Sequence, residues 1–393
     1  MALNNNENTP ENPRRSFLKT AAKGSVAALS LSSIAAGAFA LDKTVNNPEN
    51  IDAEIAPIKV DRKIRSTPDN IVWGYYGYDV PPIATVKDGD VVEIQAVNVA
   101  GPNRRDPEAF YKTNNLPLDE QALDIIAIYK NPKPEPSGLS GHMLTGPIFI
   151  EGAEPGDTLE VRILDVVPRS TYGVNSVWPK GGDIGDDVKT RENFIYKYTL
   201  DKKKRTASFK EGVEIPMAPF MGVMAVSPPP EMKRVSSIPP GFYGGNLDLK
   251  HLVKGTTLYL PVGVKGALFT TGDSHAAQGS GELDGVAIEA SMTLTAKFIV
   301  RKDMHIKTVY AESPTHLIGI GLDPDLNKAM QNAAHEATRL VMENLGFTFN
   351  EAYSVCSTGV DFEVTQVVDK TFGVNAMIPK SIFPKKDFQY WNS

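Results

Sequence analysis

The clearest pattern in this chain is an alternation of apolar and polar side chains in the segment Val286-Ala287-Ile288-Glu289-Ala290-Ser291-Met292-Thr293-Leu294-Thr295-Ala296-Lys297-Phe298-Ile299-Val300. Every second residue of this segment is apolar, and most residues between them are polar. A repeat of two is typical of a β-strand with one buried face and one solvated face. We therefore predict a long half-buried strand, with Glu289 on its solvated face.

Eleven residues of unusual composition precede this strand: Gly272-Asp273-Ser274-His275-Ala276-Ala277-Gln278-Gly279-Ser280-Gly281-Glu282. So much glycine disfavours a helix, and so many polar groups disfavour a core strand. We predict a loop that holds acid, base or metal-ligand groups close to exposed backbone. A strand pattern at 256–262 places this loop between two strands of a sheet, which would hold its groups in fixed places. A solvated turn is the alternative.

The C-terminal part shows a helical pattern. Asp323 is a candidate N-cap, Pro324 suits the first turn and Gly346 suits the exit. Between them one apolar stripe is formed by Leu326, Ala329, Met330, Ala333, Ala337, Leu340 and Val341. Another strand is indicated after the helix by Phe362, Val364, Gln366 and Val368.

These patterns predict a β-rich α+β protein. A large β-sheet or barrel-like body would span residues 71–300, with a smaller C-terminal α+β part over 301–393 packed into the same domain. Residues 41–70 are polar and aperiodic, which indicates a linker or an arm. The turns Asp88-Gly89-Asp90 and Glu154-Pro155-Gly156-Asp157 each precede an alternating strand, and their likeness suggests a duplicated β unit.

Residues 1–40 have the three regions of an export signal. A twin-arginine motif lies in Asn12-Pro13-Arg14-Arg15-Ser16-Phe17-Leu18-Lys19, an uncharged stretch covers residues 24–41, and Ala38-Phe39-Ala40 fits a cleavage site. We expect export to the periplasm by the twin-arginine pathway. An uncleaved anchor is the alternative, but a membrane span needs about 20 strongly apolar residues.

Charge and cysteine content narrow the possible partners. Without residues 1–40 the chain has 353 residues, 37 basic and 45 acidic, and hence a net charge near −8. This charge argues against nucleic acid, and against a membrane once the signal is removed. Cys356, the single cysteine, excludes an internal disulfide and lacks a basic neighbour, so we expect a small buried apolar residue. We also expect a homo-oligomer.

Several general catalytic motifs are absent. The segment His335-Glu336-Ala337-Thr338-Arg339 begins like the zinc-binding motif H-E-x-x-H but ends in arginine. No G-x-x-x-x-G-K-[ST] phosphate loop, G-x-G-x-x-G fingerprint or G-x-S-x-G nucleophile elbow occurs.

Four longer stretches carry a family resemblance. They are TGPIFIEGAEPGDTLEV at 145–161, GGNLD at 244–248, LYLPVGVKGALFTTGDSHAAQGSGE at 258–282 and NAMIPKSIF at 375–383. In this order they resemble the acetamidase/formamidase family, over a region from about residue 73 to residue 383.

The resemblance implies a metal-dependent hydrolase that converts a small-molecule amide, formamide or acetamide, to the carboxylate and ammonia. The implied ion is a divalent metal, zinc first, because it polarises a carbonyl and activates water. The implied roles are metal ligands at Asp248, His275 and more weakly His142; proton transfer by Glu282 with Asp273 as rival; donation to the carbonyl oxygen by Asn246; and substrate contacts at Tyr243 and Gly245.

The chain departs from the family pattern at two positions. The loop usually reads G-D-G-E, so Ser280 stands where an Asp is usual, and Tyr243 stands where His or Asn often precedes GGN. Serine cannot supply the negative charge that helps to hold a cation, and tyrosine would narrow or reshape a pocket. Three function classes follow: the amidase, which we favour; a catalytically impaired member that acts as a periplasmic small-molecule binding protein; and an enzyme of the same fold that acts on another amide-like bond.

Overall fold

The fold is built from several β-sheets and a C-terminal helical layer. The structure is a computed structural model that describes residues 58–98, 100–101, 105–133, 141–189, 192–388 and 390–391. The expected signal peptide (1–40) and the first part of the expected linker (41–57) lie outside these residues.

The secondary structure of the described residues is as follows. The helices are α1 (Pro107–Thr113), α2 (Glu120–Lys130), α3 (Leu326–Leu345) and α4 (Phe349–Gly359). The strands are β1 (Arg62–Ile64), β2 (Ile71–Trp73), β3 (Tyr75–Gly77), β4 (Ala84–Val86), β5 (Val91–Ala96), β6 (Met143–Ile150), β7 (Thr158–Pro168), β8 (Tyr172–Val177), β9 (Phe194–Asp201), β10 (Thr206–Ser208), β11 (Glu214–Pro216), β12 (Phe220–Ala225), β13 (Arg234–Ser236), β14 (Gly244–Asn246), β15 (Thr257–Pro261), β16 (Phe269–His275), β17 (Met292–Arg301), β18 (Tyr310–Glu312), β19 (His316–Asp323), β20 (Asp361–Gln366) and β21 (Phe372–Pro379).

Two sheets organise the body. A nine-stranded sheet has the order β1-β5-β17-β7-β15-β18-β19-β21-β20, and a six-stranded sheet has the order β14-β12-β16-β6-β2 with β4 added beside β6. Their facing apolar side chains form the main core, which includes Ile94, Val161, Phe269 and Phe298. The β-rich α+β prediction is confirmed. Strands β5 and β7, which follow the two similar turns, lie on either side of β17.

The predicted long strand is shorter than its pattern. Strand β17 begins at Met292, and residues 286–291 instead bridge to β8 and β16 through Glu289. The N–H of Ala290 donates to the Ser274 carbonyl at 3.0 Å, so this stretch lies beside the end of β16. The prediction of a solvated Glu289 is wrong, because neighbouring chain covers both of its sides and leaves the residue 4% exposed.

Helix α3 packs on β19 and β21 as the C-terminal layer. Its N-cap is Asp325 and not Asp323, because the Asp325 carboxylate accepts the N–H groups of Asn327 and Lys328. Gly346 ends the helix in a left-handed conformation, as predicted. Gly321 of β19 allows the close approach, since a Cβ there would lie 2.1 Å from the Ala333 nitrogen and 2.2 Å from the Ala329 carbonyl oxygen.

The expected linker contains structure at its end. Within the stretch 41–70, Arg62–Ile64 forms β1, an edge strand that pairs with β5 in parallel, and Ile64 is buried. Only one side chain of this short edge strand is buried, so its sequence shows no apolar periodicity that would have predicted a strand. Residues from Ile58 onwards form one compact unit. Cys356 is free and buried. Among the described residues no helix has the length and apolarity to cross a membrane.

Candidate metal centre

The candidate site lies at one edge of the six-stranded sheet, where β14, β12 and β16 are neighbours. Gly222 of β12 separates Asp248, which follows β14, from Asp273 of β16. A Cβ atom on Gly222 would lie 2.4 Å from Asp248 Oδ1 and 2.9 Å from Asp273 Oδ2. The Gly222 carbonyl accepts the N–H groups of Leu247 and Asp248 at 3.0 and 3.2 Å. The glycine therefore leaves the space in which the two carboxylates meet.

Three acids of the site have a left-handed backbone. Their φ angles are 45° at Asp248, 51° at Asp273 and 46° at Glu282. Such angles are uncommon for residues other than glycine, cost on the order of 1 kcal/mol or more each, and cluster at functional sites. Asp273 lies inside β16, so the predicted loop at 272–282 is wrong for residues 272–275, which belong to the strand.

His275 is fully buried and is oriented by Gln278. The Gln278 amide nitrogen donates to the Asp248 carbonyl at 2.8 Å, which turns its oxygen towards His275 Nδ1 at 3.0 Å. Nδ1 must then carry the proton, and the lone pair is left on Nε2. Nε2 faces Glu289 Oε1 at 3.1 Å and Asp273 Oδ2 at 3.5 Å. A lone pair directed at two carboxylates needs a cation or a proton between them.

Asp369 is a further acid of the site that no sequence pattern singled out. It lies in the turn between β20 and β21, and burial raises its pKa to about 6. The only local signal is a carboxylate placed directly after an alternating strand pattern. Its approach to Asp248 depends on how the C-terminal hairpin packs, which no local pattern encodes.

Burial dominates the electrostatics of the other acids. It raises the pKa of Asp248 and Glu282 well above the ordinary range and raises that of Glu289, and in each case neighbouring carboxylates act in the same direction. Because no arginine or lysine lies among these groups in the described cluster, the site is short of positive charge.

Asp273 behaves differently from its neighbours. Burial acts to raise its pKa, but the imidazoles of His142 and His275 outweigh burial and hold it at about 2. For His275 burial acts to lower the pKa, while Glu289 and Asp273 raise it well above its usual value. Asp273 is therefore ionised across the physiological pH range.

The remaining predicted residues surround this cluster. His142 Nε2 is 3.7 Å from Asp273 Oδ2, so His142 meets the cluster through that carboxylate. Asn246 is buried opposite Val223, and its side-chain Oδ1 has no hydrogen-bond partner among the described residues. Tyr243 is buried with its ring centroid 5.7 Å from that of Tyr76.

Tyr76 of β3 is a second residue that sequence reasoning missed. A Cβ on Gly245 would lie 3.5 Å from the Tyr76 hydroxyl and 3.4 Å from the Tyr243 ring, so both rings flank Gly245. The Tyr76 hydroxyl is buried without a hydrogen-bond partner among the described residues. Burial, followed by Tyr243, Asp273 and Asp248, raises its pKa well above the ordinary value, so the phenol keeps its proton and can donate it.

The buried ligand atoms fit a divalent metal. Three groups each bring one ligand atom per side chain within 4.8 Å of the others: Asp248 with Asp273 and His275, His275 with Glu282 and Glu289, and Asp248 with Glu282 and Asp369. Within these three groups, the buried atoms that lack a hydrogen-bond partner in the described part are Asp248 Oδ1, His275 Nε2, Glu289 Oε2 and Asp369 Oδ2. Three nitrogen or oxygen ligands are the usual protein set of a catalytic zinc. Asp248 and His275 converge as predicted, whereas His142 is in none of these groups.

Ser280 lies apart from the cluster. It is exposed in the turn that precedes Glu282, whereas Glu282 is buried. The missing carboxylate at this position therefore removes a charge from an exposed turn and leaves the buried acids intact.

Comparison with known proteins identifies the family. The sequence model of the acetamidase/formamidase family matches residues 135–237 and 233–385, which is more than half of the chain. The chain is a member of the acetamidase/formamidase family. The resemblance seen in the sequence is thus confirmed, and the candidate site lies within the matched region.

Relatives and solved structures of the family agree with this assignment. The chain is 28% identical to a formamidase from Methylophilus methylotrophus, over 74% of this chain and 84% of that protein. It is 25% identical to an acetamidase from Mycolicibacterium smegmatis, over 56% of this chain and 64% of that protein. A solved acetamidase from Bacillus halodurans matches with a TM-score of 0.66 at 27% identity, over 82% of this chain and 99% of that chain.

A fourth comparison concerns the fold alone. The crystal structure of an acetamidase/formamidase from Thermoanaerobacter tengcongensis matches with a TM-score of 0.67 at 22% identity, over 83% of this chain and 98% of that chain. The family's architecture is therefore kept in this chain at low sequence identity.

Proposed function

We propose that this family member is an exported, metal-dependent amidase that hydrolyses a short-chain linear amide, of the formamide or acetamide type, to the carboxylate and ammonia. The observation that carries the proposal is the convergence of Asp248, Asp273 and His275 around buried atoms that lack partners. Family membership supports amide hydrolysis, and the names of the relatives supply the substrate class.

The metal would be held by Asp248, Asp273 and His275. Asp273 replaces His142 in this set because it is ionised and groups with Asp248 and His275, whereas His142 approaches only Asp273 Oδ2, at 3.7 Å, and belongs to none of the ligand groups. Gln278 would fix the orientation of the imidazole and thereby keep Nε2 directed at the ion. When bound, zinc acts as a Lewis acid on a carbonyl and makes water a better nucleophile at neutral pH.

Glu282 is the better candidate for proton transfer. A general acid–base group works best when its pKa lies near the operating pH, and burial raises the pKa of Glu282 while Asp273 stays at about 2. Glu282 would accept a proton from the attacking water and return it to the departing nitrogen, which leaves as ammonia. Glu289 lies 3.1 Å from the same Nε2 that would face the ion, so its carboxylate would be a further oxygen donor beside that nitrogen.

The amide carbonyl oxygen needs a hydrogen-bond donor as negative charge develops on it. Asn246 was the candidate from sequence. The Tyr76 hydroxyl is better placed, since it is buried, lacks a partner among the described residues and is surrounded by the site's acids. Tyr243 and Gly245 would form the adjacent wall, where the two tyrosine rings restrict the substrate to a short acyl group.

Ammonia release tests the proposal. Zinc-loaded protein is incubated with formamide, acetamide and longer linear amides, and we expect release that declines as the acyl chain lengthens. Zinc bound without ammonia from any amide of the panel would overturn the amidase and favour the alternative, a periplasmic small-molecule binding protein. The exposed position of Ser280 favours the active enzyme over that alternative.

Export by the twin-arginine pathway belongs to the same proposal. Replacing both Arg14 and Arg15 by lysine is expected to keep the protein in the cytoplasm with its precursor length. Recovery of mature protein from the periplasm with the double variant would contradict export by this route.

A further inference from the structure

We infer that the site binds two divalent cations, and that Asp248, Glu282 and Asp369 form the second position. This inference rests on the proposed metal-dependent amidase and extends it. The first position is the group of Asp248, Asp273 and His275. The second is an all-oxygen group whose ligand atoms lie within 4.8 Å of one another.

The ligand count exceeds what one ion uses. A catalytic zinc ion takes three protein ligands and keeps one position open. Six side chains form the overlapping groups of this cluster, namely Asp248, Asp273, His275, Glu282, Glu289 and Asp369. Asp248 belongs to both proposed positions, and a carboxylate with two oxygens can bridge two ions. Paired ions in hydrolases lie about 3.5–4 Å apart, a spacing that one shared carboxylate permits.

The charge balance of the site also favours two divalent ions. With all five carboxylates ionised as metal ligands, the formal charge is −5, and a single divalent ion would leave an excess of three negative charges in a buried site. Uncompensated buried charge is strongly unfavourable. A second divalent ion reduces the formal excess to one.

Unpartnered atoms mark the second position independently of the charge count. Asp248 is 1% exposed and its Oδ1 has no hydrogen-bond partner in the described part of the chain. Asp369 Oδ2 is likewise buried without a partner there. Two carboxylate oxygens in this condition, from separate parts of the chain, mark a place where a shared cation, or a shared proton in its absence, would be held.

The turn that carries Asp369 is built to hold it in place. The Gln366 side chain is fully buried, accepts the N–H groups of Val368 and Asp369 at 2.9 and 3.1 Å, and donates to the Thr371 carbonyl at 2.6 Å. One buried amide therefore closes the whole turn.

The same turn is fastened to the loop that carries Glu282. The Gly281 N–H donates to the Thr365 carbonyl at 3.0 Å, and the Val367 N–H donates to the Gly281 carbonyl at 3.2 Å. These two bonds fix the spacing between Glu282 and Asp369. Because all three ligands of the second position are carboxylates, it suits a hard ion such as Mn²⁺ or Mg²⁺, whereas the histidine of the first suits zinc. Glu282 would bind through one oxygen and keep the other for proton transfer.

Metal stoichiometry tests the inference. Full-length protein is stripped with a chelator and dialysed against an excess of Zn²⁺, and its metal content per chain is measured. We expect two ions per chain in the wild type. Asp369→Asn, which keeps the size of the side chain, should keep one ion and lose the other, and Glu282→Gln should do the same. The matched control Asp361→Asn removes an exposed carboxylate from the same hairpin and should keep both ions.

Other outcomes decide against it. One ion per chain in the wild type at saturating metal, or two ions retained in folded Asp369→Asn, would overturn the second position. Folding of each variant is verified by its melting curve. Loading with Mn²⁺ alone gives a further readout, since two ions about 4 Å apart show spin coupling that Asp369→Asn should abolish. One ion with ammonia release defeats only this inference, whereas two ions without ammonia release defeat only the proposed amidase.

Discussion

The C-terminal helical layer and the metal centre follow opposite rules. In the layer, α3 has an Asp N-cap and a Gly C-cap, and its alanines pack on glycines of β19. At the centre, three acids have left-handed backbone angles, like charges crowd together and buried atoms lack partners. A region in which helix capping, packing and backbone geometry are all favourable contributes stability. A region in which backbone angles and charges are unfavourable indicates that function constrains the sequence there. The same substitution should therefore have different consequences in the two regions.

Loss of the imidazole should have the largest effect. His275→Ala removes the nitrogen ligand, and because loss of an outer partner alone costs about 10–100-fold, we expect a fall in kcat/KM on the order of 10³-fold or more, together with loss of zinc. His335→Ala, in α3, is the matched control and should keep both. Retention of zinc and of amidase rate by folded His275→Ala would remove the chemical basis of the proposed function.

A pair of glycine substitutions sharpens the comparison directly. Gly222→Ala puts a methyl group 2.4 Å from Asp248 Oδ1 and 2.8 Å from the Asp273 backbone carbonyl, so we expect loss of metal, a fall in kcat of about 100-fold in the folded fraction and a lower melting temperature. Gly321→Ala instead meets the backbone of α3 and should lower the free energy of unfolding by about 1–3 kcal/mol, with kcat of the folded fraction unchanged. Equal effects of the two variants on stability and rate would show that the regions do not differ in this way.

Removal of the Tyr76 hydroxyl should have the next largest effect on the rate. Tyr76→Phe keeps the ring that packs on Tyr243 and removes only the donor, so we expect kcat to fall by about 10–100-fold with little change in KM. The stability should hardly change, because the hydroxyl has no partner among the described residues. Tyr78→Phe, at an exposed position, serves as the control. A rise in KM at constant kcat would assign Tyr76 to ground-state binding instead.

The pH dependence of the metal-free protein should reveal Asp369. Its pKa of about 6 exceeds the unfolded value of 3.8, so the folded state holds this proton more tightly, and stability decreases as pH rises from 4 through 6. Asp369→Asn removes that decrease, and by pH 7 the stripped variant should exceed the stripped wild type by up to about 3 kcal/mol. Urea unfolding at pH 4 and pH 7 measures the difference, and a gap that stays constant with pH would contradict the assignment.

Restoring the family's usual acid should have the smallest effect. Because Ser280 is exposed, Ser280→Asp is expected to change kcat/KM by less than about threefold. A large gain in rate would instead mean that this chain is impaired at the turn and would favour the binding-protein alternative.

The sequence predicted the elements that obey local rules. The strand alternation around Met292, the helix end at Gly346 and the family motifs are local patterns, and they led to the β-rich fold and to Asp248 and His275. Glu289 was misplaced because alternation assigns a face without saying what covers it. Asp369 and Tyr76 were missed because their approach depends on how distant hairpins pack. Roles for Asn246, Tyr243 and Gly245 stay predictions.

The hydrogen bonds between Gly281 and the β20–β21 hairpin mean that the ligand set of the metal centre is complete only after this hairpin has docked. During synthesis the chain presents Asp248, Asp273, His275 and Glu282 well before Asp369, which follows nearly ninety residues after Glu282. A nascent chain halted in α3 would have a body sheet but an incomplete ligand set. Cation binding at the proposed second position would then require that the last hairpin has been synthesised and has docked on the body.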